Sequence, residues 1–167
     1  MIELRSPSPA VTHAIAGAIA GLARAGDLIV LAGEMGAGKT WFAKGVAGAL
    51  GITEPVTSPT FTLVHSYGGG RLTLHHADVY RLGRLSEVAD LALAELVEDT
   101  DAGKGSVVLV EWGDAVAAVL GNDYLEIRLH VDDAEPETAR LVTVRAVGPR
   151  WASRWAALVG ALEAWRC

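Results

Sequence analysis

The sequence of 167 residues has almost no cysteine: its one thiol is the last residue, Cys167. A lone terminal thiol cannot form a disulfide within the chain, and this composition is typical of a reducing compartment. Long apolar runs are missing too, since none approaches the roughly 20 residues that a membrane span needs. The start, MIELRSPSPA, lacks the basic and apolar stretches of a secretory signal peptide. We therefore expect a cytoplasmic protein with no membrane association.

Positive charge is also scarce. The formal net charge is -6, and the lysines are Lys39, Lys44 and Lys104. A protein that binds nucleic acid unaided usually presents a basic face. If this chain works on nucleic acid, we expect a partner to supply the positive surface, although arginine patches such as Arg81 with Arg84 leave direct contact open.

Apolar residues are plentiful, at 51% of the chain, which is enough to bury the core of one domain over residues 1–167. Apolar periodicity and glycine stops predict helices over Ser8–Ala25, Lys39–Leu50, Ser86–Glu98 and Trp151–Trp165. Strands are predicted over Asp27–Ala32, Phe61–Tyr67, Arg71–His76, Val107–Glu111, Tyr124–Val131 and Leu141–Val147. We expect the second and third strands to form a hairpin and the last two to be antiparallel neighbours.

The segment GEMGAGKT, from Gly33 to Thr40, fits the phosphate-binding pattern G-x-x-x-x-G-K-[ST] at every fixed position. Glycines let such a loop wrap tightly and turn its N–H groups toward phosphates. Lys39 is expected to reach the β- and γ-phosphates, and the Thr40 hydroxyl to ligate magnesium. The loop residues of this predicted nucleoside triphosphate site are Gly33, Glu34, Met35, Gly36, Ala37, Gly38, Lys39, Thr40 and Trp41.

The alternation of strands and helices around this loop predicts the fold class. We expect an α/β, three-layer P-loop NTPase-like domain, with a mixed, mainly parallel sheet flanked by helices. No lysine lies in the Asn/Thr-Lys-x-Asp element that guanine-specific members usually carry. ATP is therefore favoured over GTP.

Two carboxylates are candidates for the second magnesium anchor. Glu111 ends the apolar run VVLVE, and Asp78 follows RLTLHHA. Ligands of open α/β sheets bind at such strand ends. Each carboxylate could instead cap a helix or face water, so the residues alone leave its role open.

The segment VTSPTF, from Val56 to Phe61, has two interpretations. Thr57, Ser58 or Thr60 could sense the γ-phosphate as part of a switch. The segment could equally be a polar loop stiffened by its proline, and physical reasoning does not separate these alternatives.

A pair of histidines and the tryptophan-rich closing helix are each expected to have a structural role. His75 and His76 are adjacent on a predicted strand, so they point to opposite faces and do not share a metal easily. The closing helix is expected to pack on the domain's own sheet. Docking of a partner is the alternative for its apolar stripe, which consists of Trp151, Trp155, Leu158, Leu162 and Trp165.

Four blocks occur in order between Asp27 and Asp114: GEMGAGKT, VTSPTFTLVHSY, HHADVYRL and LVEWGD. Together they closely resemble the bacterial ATPase family of the tRNA threonylcarbamoyladenosine (t6A) pathway, known as TsaE or YjeE. The resemblance implies an accessory ATPase of the complex that places threonylcarbamoyl on the adenosine beside the anticodon. Implied partners are a heterodimer of the transferase subunit and its inactive paralogue. From the acidic charge balance we expect the contact with tRNA to be indirect. Hydrolysis is expected to be slow alone and stimulated by these partners.

The resemblance also implies residue roles. Lys39, Asp78 and Glu111 would be catalytic, with Asp78 handling the attacking water, and Thr40 with Glu111 would hold Mg²⁺. The resemblance further implies that four residues lie near the nucleotide: Thr12, Trp112, Asp114 and Arg140. The switch-like residues would be Thr57, Ser58 and Thr60. The main departure from the family pattern is Trp41, where a second threonine is usual.

Two rival functions use the same loop. One is a small-molecule kinase with Asp78 as the base for a substrate hydroxyl, although the arginines needed for a lid are few. The other is a non-hydrolysing nucleotide sensor, in which ATP binding alone orders the switch-like segment for a partner.

Overall fold

The structure, a computed structural model, describes residues 1–59, 64–80, 95–96, 104–112 and 121–167. The elements in these ranges are, in chain order, β1 (Ile2–Ser6), α1 (Pro9–Leu22), β2 (Asp27–Ala32), α2 (Lys39–Ala49), β3 (Val64–Tyr67), β4 (Thr73–Asp78), β5 (Ser106–Glu111), β6 (Tyr124–Val131), β7 (Arg140–Val147), α3 (Pro149–Ala152), α4 (Trp155–Leu162) and a closing 3-10 turn (Glu163–Trp165).

The strands form a seven-stranded sheet in the order β1-β7-β6-β2-β5-β4-β3. Its central strands β6, β2, β5 and β4 are parallel. Antiparallel pairs lie at the edges, where β6 meets β7, β7 meets β1, and β4 meets β3. The predicted fold class is confirmed, as are the hairpin and the antiparallel pairing of the last two strands.

Strand β2 is the centre of the molecule, and all six of its residues are buried. It lies between two parallel neighbours and is covered on both faces, which is why it is a continuous apolar run and not an alternating one. Helices α1, α2 and α4 supply residues to the larger core, on the face that carries Ile29 and Leu31. The opposite face carries Leu28 and Val30 in a second apolar cluster.

Helix α1 begins where the sequence predicts. The Ser8 hydroxyl accepts the Val11 N–H at 3.3 Å, and a proline occupies the first turn. The helix ends at Leu22, earlier than the predicted Ala25. The Asp27 carboxylate accepts the Arg24 N–H at 2.7 Å, which holds this segment in a turn instead of a further helical turn.

Sequence reasoning did not predict the edge strand β1, which pairs with β7. The strand has only five residues, and it alternates buried and more exposed positions next to a proline-rich segment. A pattern this short is too weak to identify, and β1 gains its stability from the strand beside it.

The closing helix was predicted as one element, and this was wrong. The chain forms α3, then α4, then a 3-10 turn, with the break at Ser153 and Arg154. At the break the guanidinium of Arg154 turns inward to a carboxylate, and the following helix starts from this residue. Trp151, Leu158 and Leu162 are fully buried in the protein's own core, as the packing alternative predicted.

Part of the prediction lies outside the described residues. This applies to the helix Ser86–Glu98 apart from residues 95 and 96, and to the first three residues of the strand Phe61–Tyr67. Across the described ranges, each helix is too short or too polar to cross a bilayer.

We predict that Arg154→Ala lowers the free energy of unfolding by about 3–5 kcal/mol, because it leaves the buried Asp27 carboxylate without its cation. The guanidinium of Arg154 makes two bonds to Asp27, of 2.8 and 2.7 Å, and both side chains are buried. Chemical denaturation measures the loss. Arg150→Ala is the matched control, since its side chain is 51% exposed and its ion pair with Asp123 is long at 3.7 Å. A loss no larger than that of the control would contradict the prediction.

Candidate functional site

The glycine loop follows the carboxyl end of β2 and leads into α2. Gly33 adopts φ 138°, and a Cβ on it would lie 2.4 Å from the Leu129 carbonyl oxygen of the neighbouring strand. Gly38 adopts the left-handed conformation as the residue before α2 and makes no side-chain cap. Helix α2 therefore begins with its N–H groups directed at the loop, the arrangement that binds phosphate at a helix N-terminus.

Lys39 closes the loop on itself. Its side chain is almost fully buried, and its ammonium donates to the carbonyl oxygens of Gly33 and Glu34, both at 2.7 Å. The same nitrogen lies 3.5 Å from the ring centroid of Trp112. Trp112 has φ 63°, an uncommon left-handed conformation for a bulky residue. The ring of Trp112 thus covers the loop lysine, directly after the end of β5.

Thr40 and Glu111 meet across the site. The Thr40 hydroxyl lies 3.0 and 3.2 Å from the two carboxylate oxygens of Glu111, which is buried. These hard oxygen atoms suit Mg²⁺, which takes one or two protein ligands and completes its shell with water and phosphate. The donor set and the glycine cradle therefore fit a phosphate-bound magnesium ion.

Asp78 lies beside Glu111, because β4 and β5 pair in parallel with these two residues opposite each other. Its carboxylate accepts the Ser58 hydroxyl at 3.1 Å and the Tyr80 N–H at 2.9 Å. The Tyr67 hydroxyl contacts the backbone of Thr57, at 3.3 Å from its nitrogen. The switch-like segment is thereby attached both to Asp78 and to the hairpin strand β3.

These groups surround a cavity of about 420 Å³ at the carboxyl ends of the central strands. It is lined by Met35, Gly36, Gly38, Lys39, Thr40, Trp41, Ser58, Pro59, Asp78, Tyr80, Glu111 and Trp112. The structure therefore brings together most of the predicted site. Pro59 and Tyr80 were not singled out, although Tyr80 follows Asp78 by two residues and its ring lies 4.6 Å from that of Trp112.

A second cavity, of about 330 Å³, lies on the other side of Gly38 and Trp41. Its lining residues are Pro9, Thr12, Ala37, Gly38, Trp41, Glu137, Thr138 and Arg140. Thr12 and Arg140 thus line one cavity beside the loop, and their place on the nucleotide side stays a prediction. Sequence reasoning missed Glu137 and Thr138, which precede β7 in a polar segment with no motif.

Arg140 also braces the loop from outside. Its guanidinium donates to the carbonyl oxygens of Ala37 at 3.0 Å and Gly36 at 3.3 Å. Further bonds reach the backbone of Pro136 and Ala139, so one side chain joins the glycine loop to the wall of the second cavity.

Some predicted site residues are not lining residues of either cavity. Gly33 and Glu34 lie in the loop, where their carbonyl oxygens accept from Lys39. Thr60 and Asp114 lie outside the described residues. The adjacent histidines do have separate partners: His75 contacts the Ser66 hydroxyl at 2.7 Å, whereas His76 contacts Glu111 at 2.8 Å. The contact of His76 was missed, although its spacing of two residues from Asp78 places both on one face of β4.

A glycine loop between the central parallel strand and a helix, with a hydroxyl and a carboxylate meeting at its mouth, defines a P-loop NTPase-like domain. The family model described as "Threonylcarbamoyl adenosine biosynthesis protein TsaE" matches residues 6–141. The chain belongs to this TsaE family.

Individual relatives agree. The chain is 42% identical to the tRNA threonylcarbamoyladenosine biosynthesis protein TsaE of Bacillus subtilis (strain 168), over 90% of this chain and 89% of that protein. It is 45% identical to the protein of the same name from Streptomyces coelicolor, over 81% of this chain and 90% of that protein. The crystal structure of Bacillus subtilis YdiB superposes with a TM-score of 0.76 at 34% identity, covering 98% of this chain and 97% of that one.

Proposed function

We propose that this chain hydrolyses ATP with Mg²⁺ as the accessory ATPase of the t6A machinery, and that hydrolysis supports turnover of the threonylcarbamoyltransferase complex. Membership of the TsaE family supports the pathway. The observation that carries the chemistry is the meeting of Thr40, Glu111 and Asp78 around one cavity at the glycine loop.

The residues have separable tasks in this proposal. Lys39 and the backbone N–H groups at the start of α2 hold the β- and γ-phosphates, with the lysine exchanging its loop carbonyls for phosphate oxygens. Thr40 and Glu111 hold magnesium, directly or through water, and the ion when bound neutralises charge that develops on the phosphates. Asp78 orients the attacking water and accepts its proton, since its oxygens still have lone pairs beyond the two bonds they accept.

The second cavity is proposed to hold the base. It is separated from the phosphate cavity by Gly38 and Trp41, which line both. The Trp41 indole is fixed in place, because its nitrogen donates to the Pro9 carbonyl at 2.9 Å and its ring lies 4.4 Å from that of His13. A fixed aromatic surface at the border of a cavity favours a planar heterocycle, and stacking on it is independent of base identity.

The proposal includes stimulation of hydrolysis by the partners. Among the described residues, Lys39 is the cation that lines the phosphate cavity. No arginine is among the described residues that line this cavity. Phosphoryl transfer is accelerated strongly when an additional arginine reaches the transition state. We propose that the transferase subunit and its inactive paralogue complete this site, and that tRNA is contacted indirectly.

The first test is ATP hydrolysis by the purified chain, alone and then with the transferase heterodimer and tRNA. We expect slow phosphate release that the heterodimer stimulates. Lys39→Ala should reduce it by about 100-fold or more, because the main positive charge at the phosphates is lost. Lys104→Ala is the control, since this lysine is exposed and lines neither cavity. Hydrolysis that persists in Lys39→Ala would contradict the assignment, and stimulation absent in the wild type would reject the proposed partners.

A second prediction separates the hydrolase from the nucleotide sensor, in which the bonds of Asp78 to Ser58 and Tyr80 would serve only to order the switch-like segment. Asp78→Asn keeps an acceptor for the Tyr80 N–H but cannot take a proton from water. We expect hydrolysis to fall by about 10²- to 10⁴-fold while ATP binding persists. Support of t6A formation in the reconstituted system should fall with it. A variant that lacks hydrolysis yet supports modification fully would favour the sensor.

A third prediction concerns the base cavity. Trp41→Thr should weaken ADP binding by about 1 kcal/mol or more, roughly fivefold, because the stacking surface is removed. Binding of pyrophosphate, which has no base, should not weaken. Calorimetric titration gives the affinities for ADP and for pyrophosphate. Their ratio cancels any effect that the hydroxyl of the introduced threonine has on phosphate binding. An unchanged ratio would place the base elsewhere.

A further inference from the structure

The buried pair of His76 and Glu111 adjoins the proposed magnesium site. His76 is fully buried, and its Nε2 atom lies 2.8 Å from Oε1 of Glu111, which is itself 2% exposed. Within the described residues, the other ring nitrogen of His76 has no hydrogen-bond partner. The hydrogen bonding that the structure shows for this ring is therefore directed at one carboxylate oxygen.

Two side chains among the described residues, Thr40 and His76, bond the Glu111 carboxylate, and only Thr40 is also a proposed magnesium ligand. The Thr40 hydroxyl donates to the carboxylate oxygens, and it is also a proposed ligand that would offer a lone pair to the ion. His76 does not line the phosphate cavity. Its bond to Oε1 can therefore persist with or without the ion, and it leaves lone pairs on Oε2 for magnesium or its water.

We propose that His76 is a positioning residue for Glu111: by donating from Nε2 it holds the carboxylate where it can anchor Mg²⁺. The proposal rests on the proposed function, since it requires a Mg–nucleotide at this site. Partners that orient a metal-binding side chain are commonly worth 10- to 100-fold in metal affinity.

The alternative is that His76 only fills the core. The chain offers a matched control for it, because His75 is buried on the neighbouring position of β4 and points to the opposite face, where it contacts Ser66. Replacing His75 perturbs the same strand without touching Glu111. Two substitutions of His76 add a geometric control: His76→Gln can place an amide donor near the Nε2 position, whereas the shorter His76→Asn cannot.

The experiment measures ADP affinity by calorimetry in excess Mg²⁺ and again in EDTA, for the wild type, His76→Asn, His76→Gln and His75→Asn. The ratio of the two affinities isolates the contribution of magnesium. We expect His76→Asn to reduce this ratio by about tenfold or more while the affinity in EDTA is unchanged, and His76→Gln to restore most of it. His75→Asn should leave the ratio unchanged. In a Glu111→Gln background, His76→Asn should have no further effect on the ratio.

Three results would overturn the proposal. One is an equal loss of affinity with and without Mg²⁺ in His76→Asn, as a packing role predicts. Another is an equal loss of the ratio in His75→Asn, and the third is a full effect of His76→Asn in the Glu111→Gln background. A wild-type chain that fails to bind ADP under either condition would reject the proposed function itself, and is distinguished by that result from a failure of His76 alone.

Discussion

The parallel register between β4 and β5 is the constraint on which the proposed site depends. It sets Asp78 opposite Glu111, and the pairing of β5 with β2 sets Glu111 opposite Leu31, two residues before the glycine loop. Both carboxylates therefore reach the same sheet edge as the loop. Because side chains alternate between faces along a strand, a slip of one residue would turn Asp78 away from Glu111. The apolar residues buried on both faces of these strands fix the register, so the core determines the chemistry at the edge.

The sequence predicted most of the parts because they depend on local rules. The loop is specified by glycine spacing and the following helix, and β2 and β6 begin and end at the predicted residues. Edge strand β1 could not be predicted, because it depends on pairing with β7 at the far end of the chain. The break in the closing helix depends on the distant Asp27 in the same way.

The site shows the same division between local and distant information. Pattern and resemblance named Thr40, Glu111 and Asp78, but the contact of His76 with Glu111 joins residues 35 positions apart. The alternation of side chains along a strand correctly predicts that His75 and His76 face opposite ways, and it argues against a shared metal. The partner of each histidine depends on the order of the strands in the sheet, which local sequence patterns do not specify.

The proposed ligand-binding groups are all engaged within the protein. Lys39 bonds two loop carbonyls and lies against Trp112, Thr40 bonds Glu111, and Asp78 bonds Ser58. A nucleotide must therefore replace the present bonds of Lys39, whereas Thr40 and Asp78 keep lone pairs for new contacts. At Lys39 the net gain is smaller than the number of new contacts suggests.

The proposed exchange of bonds at Lys39 would also affect neighbouring residues of the site. If Lys39 turns to phosphate as proposed, it would leave both the loop carbonyls and the ring of Trp112. The left-handed backbone of Trp112 costs of order 1–3 kcal/mol. Trp112 directly follows Glu111, and its ring lies 4.6 Å from the tilted ring of Tyr80, whose N–H bonds Asp78. Movement of the Trp112 ring would thus affect both Glu111, the proposed magnesium ligand, and Asp78, the proposed water-handling acid. Ser58 bonds the same acid, so the segment before Thr60 is joined to this exchange through a single hydrogen bond.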